Sequence, residues 1–109
     1  MAEEIRLLRN DTYELIVSVI DSETELPVPI ISNNWNVALE SETINKNSVD
    51  SPIDFLIEVS PLTTGQIDIH ISQSETNQTV CKSHYKIRLF KNTVTKTVSS
   101  GDFIFIDEL

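Results

Sequence analysis

Apolar and polar positions alternate along much of this chain. Over residues 13–20, Tyr13, Leu15, Val17 and Val19 share one phase, and Glu14, Ile16, Ser18 and Ile20 share the other. A period of two is the mark of a strand with one buried face. The pattern recurs at Trp35/Val37/Leu39, Phe55/Ile57/Val59, Ile67/Ile69/Ile71 and Tyr85/Ile87/Leu89. These rows are the candidate core. Ile5, Leu7 and Leu8 make a short opening strand, residues 94–98 another, and Phe103, Ile104, Phe105 and Ile106 the last.

Turn chemistry separates the rows. Arg9-Asn10-Asp11-Thr12 reads as a turn, because Asn and Asp accept left-handed backbone, and Asn33-Asn34 and Lys91-Asn92 are further turn signals. Pro61-Leu62-Thr63-Thr64-Gly65 and Ser99-Ser100-Gly101 read as further breaks, and residues 41–52 as the longest loop. Residues 72–77 fit either a loop or one short helical turn. Pro27 and Pro29 exclude a central strand for residues 26–31, which read as an extended edge or a crossing segment. Eight or nine strands with turns every 8–12 residues predict an all-β fold, either an antiparallel two-sheet sandwich or a small barrel. The expectation is a single sandwich domain over residues 1–109, with about eight strands.

Composition agrees. Val, Ile and Thr account for 33 of 109 residues, against two Gly and four Pro, and β-branched side chains favour strands. No apolar run reaches the length of a membrane-spanning helix. No cationic segment followed by an apolar one marks a secretory leader. The sequons at Asn10 and Asn77 are then read as chance. The single Cys81 has no internal disulfide partner, and it reads as a small core residue.

The net charge of −9 is unevenly spread. Residues 1–79 carry 14 acids and three bases, and residues 80–100 carry five bases and no acid. The basic residues are Lys82, Lys86, Arg88, Lys91 and Lys96, with the first three on one strand face. They form either a docking polarity or a solvated hairpin whose lysines guard an edge. An otherwise acidic body repels phosphate, so nucleic acid is not an expected partner.

Catalytic chemistry finds little footing. The two histidines are His70 and His84. Asp68 and His70 share a strand face, but zinc needs three or four ligands. Cys81 and His84 fall on opposite strand faces. Asp54, Glu58 and Asp68 are expected on one acidic solvent face. Trp35 and Tyr13 would be stacking platforms in a sugar- or receptor-binding module, but their phase with Val and Leu places them in the core. The run Phe103–Ile106 needs cover on both faces, from the chain's own loops or from a partner subunit.

The ordered segments resemble a family. Arg9-Asn10-Asp11-Thr12 opens the long strand ending Val19-Ile20-Asp21. Leu26-Pro27-Val28-Pro29-Ile30 crosses next, then Trp35-Asn36-Val37-Ala38-Leu39 and Gly65-Gln66-Ile67. Tyr85-Lys86-Ile87-Arg88-Leu89 and Thr97-Val98-Ser99-Ser100-Gly101-Asp102-Phe103 close the chain. This is similar to the small immunoglobulin-like β-sandwich proteins of tailed-bacteriophage tails and baseplates, including the N-terminal domain of baseplate upper proteins. The chain departs from that pattern at Asn10, which replaces a glycine, at Pro29-Ile30-Ile31, and at Lys86, which replaces an acid. The resemblance implies an immunoglobulin-like fold and a non-enzymatic structural role in a virion (tail, neck or baseplate) made in the host cytoplasm. It implies no cofactor, no metal and no membrane. The implied partners are other phage structural proteins and further copies of the chain, with Lys82, Lys86, Arg88, Lys91, Lys96, Pro27 and Pro29 as the candidate contact residues. The alternative is an acidic phage-encoded inhibitor that binds a host protein as a decoy. Net −9 favours that alternative, and the basic segment opposes it.

Overall fold

The computed structural model describes residues 3–107. Met1-Ala2, where a leader would begin, and Glu108 of the acidic end lie outside the described residues. Eight strands run in chain order: β1 Glu3–Leu8, β2 Tyr13–Ser18, β3 Asn36–Ser41, β4 Lys46–Asn47, β5 Phe55–Ile57, β6 Gln66–Ile71, β7 Lys82–Lys91 and β8 Val94–Ile106. One helical turn, α1 Gln73–Thr76, precedes β7, and short 3-10 turns stand at Pro52–Asp54 and Pro61–Thr63.

Two sheets form. One has the order β1-β8-β7-β3-β4, the other β2-β6-β5. The fold is therefore a two-sheet β architecture, as the alternation predicts, with two corrections: β8 runs unbroken through Ser99-Ser100-Gly101, joining the two strands expected there, and one pairing is parallel. The pairs are antiparallel except for β1, which lies parallel to β8 with Ile5 beside Phe103 and Leu7 beside Phe105. Phe103 and Phe105 are buried on the inner face of β8, and Ile104 and Ile106 lie part-buried on its outer face. β8 lies inside the five-stranded sheet, between β1 and β7, so its residues meet neighbours on both sides.

The inner faces of the two sheets merge into one buried cluster. The five-stranded sheet gives Ile5, Leu7, Val37, Leu39, Tyr85, Ile87, Leu89, Phe103 and Phe105. The three-stranded sheet and its extension give Leu15, Val17, Val19, Phe55, Ile67, Ile69 and Ile71. Tyr85 stacks on Phe103 with ring centroids 4.6 Å apart. Burying such side chains supplies the main driving force for folding, at about 1.5–3 kcal/mol for each large one.

Several expected core positions lie elsewhere. Tyr13 is exposed at the start of β2, and Val59 is 63% exposed. Cys81 is exposed too. It precedes β7, where strand alternation does not yet fix its facing. Trp35 is half-buried and packs on the rim of the core. The expected turns form at all three places, with Asn10, Asn34 and Asn92 in left-handed backbone. Arg9, in the first of these turns, binds Gln78 O at 2.6 Å and Asp107 at 2.7 Å, tying the approach to β7 to the end of β8.

Candidate functional site

Residues 19–32 and 58–66 build one end of the molecule. Past β2 the chain makes a single bridge, Ile20 to Pro27, with Val28 N–H donating to Val19 O and Asp21 N–H to Leu26 O. Pro27 thus sits in an edge pairing, as its missing N–H requires. Ile30 then turns fully inward. The segment is held from the other side by Glu58. One carboxylate oxygen accepts the Ile31 N–H at 2.8 Å and the other the Gly65 N–H at 2.6 Å, and the Ile30 N–H lies 3.1–3.2 Å from both.

Burial of this carboxyl works to raise its pKa. The amides of Ile31, Gly65 and Ile30 outweigh that and hold it below the usual glutamate value. Glu58 therefore leaves the acidic solvent face expected for it. Its backbone is left-handed, at φ +49°. This breaks the strand alternation: Phe55 is buried and Ile57 partly so, but Val59, one residue past the twist, points out.

An open groove of about 580 Å³ results, lined by Pro29, Ile31, Ser32, Glu58, Val59, Ser60, Pro61 and Thr64. Ile31 and Val59 are exposed on it, and Leu62, next to Pro61, is 97% exposed. Leu26 and Ile20 are exposed at the same end. Large aliphatic side chains standing in water on a pinned backbone offer a partner apolar contact area.

The other expected acids go elsewhere. Asp54 pairs with Lys46 at 3.3 Å, and Lys46 also pairs with Glu75 at 2.8 Å and donates to His70 O. The Lys46 side chain is only 5% exposed. It reaches from edge strand β4 to β6 and so rivets the two sheets. Burial works to raise the Glu75 pKa, but hydrogen bonds from Lys46 and from the Ser72 amide keep it low. Asp68 sits on the outer face between Ile16 and Leu56. His70 meets Glu14 across the strand pair rather than Asp68 along it. Among the described residues, no group of three or more His, Cys, Asp or Glu is placed to hold a metal.

The basic hairpin divides its cations between the two faces of its sheet: Lys82, Lys86 and Arg88 project from the outer face, and Lys91 and Lys96 stand in the phase of buried Leu89, beyond the core beside Trp35. Lys82 lies 3.5 Å from Asp102, and Arg88 lies 3.2 Å from Glu40. Lys91 donates to Asn33 O and stands 4.1 Å from the Trp35 ring centre, with Lys96 at 5.9 Å. Lys86 stands opposite Glu40 in the strand register. Lys82, Lys86 and Arg88 therefore form one face, whereas Lys91 and Lys96 gather beside Trp35 and Asn33, whose side chain donates to Pro29 O; the five cations and the two prolines do not make one surface. Glu58 and Lys46, the two residues that organise the loops, carry no local sequence signal. Their partners lie up to 28 and 29 residues away.

No protein-family model matches the chain, and no curated protein is significantly similar to it. Among the described residues, no helix is long and apolar enough to cross a membrane.

Proposed function

We propose that this chain is a non-enzymatic, immunoglobulin-like assembly module, and that the phage tail and baseplate proteins it resembles give its setting. The observation that carries the reading is the groove end, where the Glu58 carboxylate fixes two segments so that Ile31, Val59 and Leu62 face solvent. A rigid apolar surface binds with little ordering cost, because its backbone is already fixed. The partners are neighbouring virion proteins, further copies of the chain among them.

The immunoglobulin-like reading is supported by strand order. The second, fifth and sixth strands share one sheet, and the third, fourth, seventh and eighth share the other with the first beside the eighth. A variable-type sandwich groups its B, E and D strands and its C, C′, F and G strands in the same way, though it has nine strands and its first lies in the other sheet. The outer basic face of Lys82, Lys86 and Arg88 steers approach to acidic neighbours. It adds little affinity, since its charges are exposed and mostly matched.

Native mass spectrometry tests the proposal. Defined multimers, reduced in size by Ile31→Glu with Val59→Glu, are the expected result. A monomer that instead captures a host nucleic-acid enzyme overturns it in favour of the acidic decoy.

A further inference from the structure

Edge strand β2 is the least guarded edge of the molecule. It has β6 on one side and no strand on the other among the described residues. The odd positions face β6: Val19 N–H continues the ladder to Gly65 O, and Asp21 N–H bonds Leu26 O on the same side. The N–H and C=O groups of Glu14, Ile16, Ser18 and Ile20 therefore line the free edge. Natural edges are blunted by lysine, proline, bulges or short length. β4 has two residues and β5 three, and β1, the other six-residue edge, carries Glu4 and Arg6, whereas β2 has six with no lysine, proline or bulge and Glu14 as its one charge. A groove of about 240 Å³ runs beside Leu15–Ser18, with Tyr85, Val98 and Ser99 forming its other wall.

We infer that β2 is a pairing edge for a second copy of this chain, antiparallel about a two-fold axis centred on Ile16. The register follows from the side chains. Centring on Ile16 sets Ile16, 61% exposed, against the Ile16 of its partner and Glu14 against Ser18. No like charges meet, and the aliphatic pair loses its water. A two-fold contact needs one surface that is complementary to itself, and this register provides it. The product is a continuous six-stranded sheet, with both inner faces on the same side. This surface is separate from the groove end and does not depend on it.

The test is sedimentation velocity over a concentration series, with amide exchange on the same samples. The parent should dimerise. Ile16→Lys and Ile16→Glu should each sediment as folded monomers where the parent is dimeric, since each sets like charges face to face. Mixed, the two variants should form a heterodimer. In the parent dimer the Ile16 and Ser18 amides should exchange slowly, and in Ile16→Lys fast, while the Leu15 and Val17 amides stay protected in both. Three results overturn the inference: a parent that stays monomeric, an Ile16→Lys variant that dimerises as the parent does, or a mixture that remains monomeric. A parent multimer that Ile31→Glu with Val59→Glu disrupts but Ile16→Lys leaves intact defeats this edge alone and leaves the groove contact standing.

Discussion

Glu58 accepts the Gly65 amide at 2.6 Å, and both residues hold left-handed backbone, at φ +49° and +79°. The left-handed Glu58, which does carry strain, is thus braced by the glycine turn just before β6, and Ile30 and Ile31 are bound to the same carboxylate. Hydrogen bonds to a charged group contribute more than neutral ones, about 1.5–3 kcal/mol.

Glu58→Ala should therefore destabilise the fold by about 2 kcal/mol, measured by urea unfolding. Glu58→Gln separates charge from shape. The folded-state pKa of Glu58 is lowered, so its contribution is present above the unfolded-state value and is lost as pH falls through the folded one. The gap in melting temperature between the parent and Glu58→Gln should be widest near neutrality and should narrow in acid.

Gly65 is the position where a side chain is least tolerable. A Cβ there would stand 2.8 Å from Val19 O and 3.2 Å from Val28 O, both backbone atoms. Gly65→Ala adds that clash to left-handed strain and should cost about 1–3 kcal/mol. A melting temperature equal to the parent's would show that the Val19 and Val28 strands yield.

Lys46→Ala strands two carboxylates, Asp54 and Glu75, beside a carbonyl that has lost its donor. Losing one member of a buried pair costs about 3–5 kcal/mol. Because Asp54 and Glu75 keep some solvent, a value near the lower end is expected. Lys46→Met with Asp54→Asn and Glu75→Gln should recover much of the loss, since no unpaired charge remains. Thermal unfolding of the single and triple variants reads this directly.

Trp35 packs on the core rim under Lys91 rather than within the core. Trp35→Ala should cost less than the about 3–5 kcal/mol of a fully buried aromatic. Lys91→Ala should cost about 0.5–1 kcal/mol and shift the Trp35 emission maximum. Unfolding monitored by fluorescence checks both.

The rows that alternation marks most strongly are those the fold buries most completely. Ile67, Ile69, Ile71 and Ile87 have no exposed surface, and Tyr85 and Leu89 almost none. Local pattern suffices there, because each side chain's facing is set by its own strand. Val59 escapes the pattern because the Glu58 twist reverses its facing, and a left-handed glutamate has no sequence mark. Lys46 looks like any loop lysine until β4, α1 and the turn before β5 converge on it. The parallel placement of β1 against β8 joins opposite ends of the chain, and pairings so remote leave no periodic trace. Asn10, Asn34 and Asn92 were legible because asparagine is chemically suited to the backbone they adopt.

The most direct test of assembly through the groove end is sedimentation velocity of the parent and of Ile31→Glu with Val59→Glu, at low and high salt. Apolar contact withstands salt, whereas steering between exposed charges is screened beyond about 8 Å at physiological ionic strength. The expected result is a parent assembly that persists at both salt concentrations and a folded double variant whose assembly is reduced to the dimer paired through β2. A double variant that assembles like the parent, or a parent assembly that dissolves in salt, would contradict the role given to Ile31 and Val59.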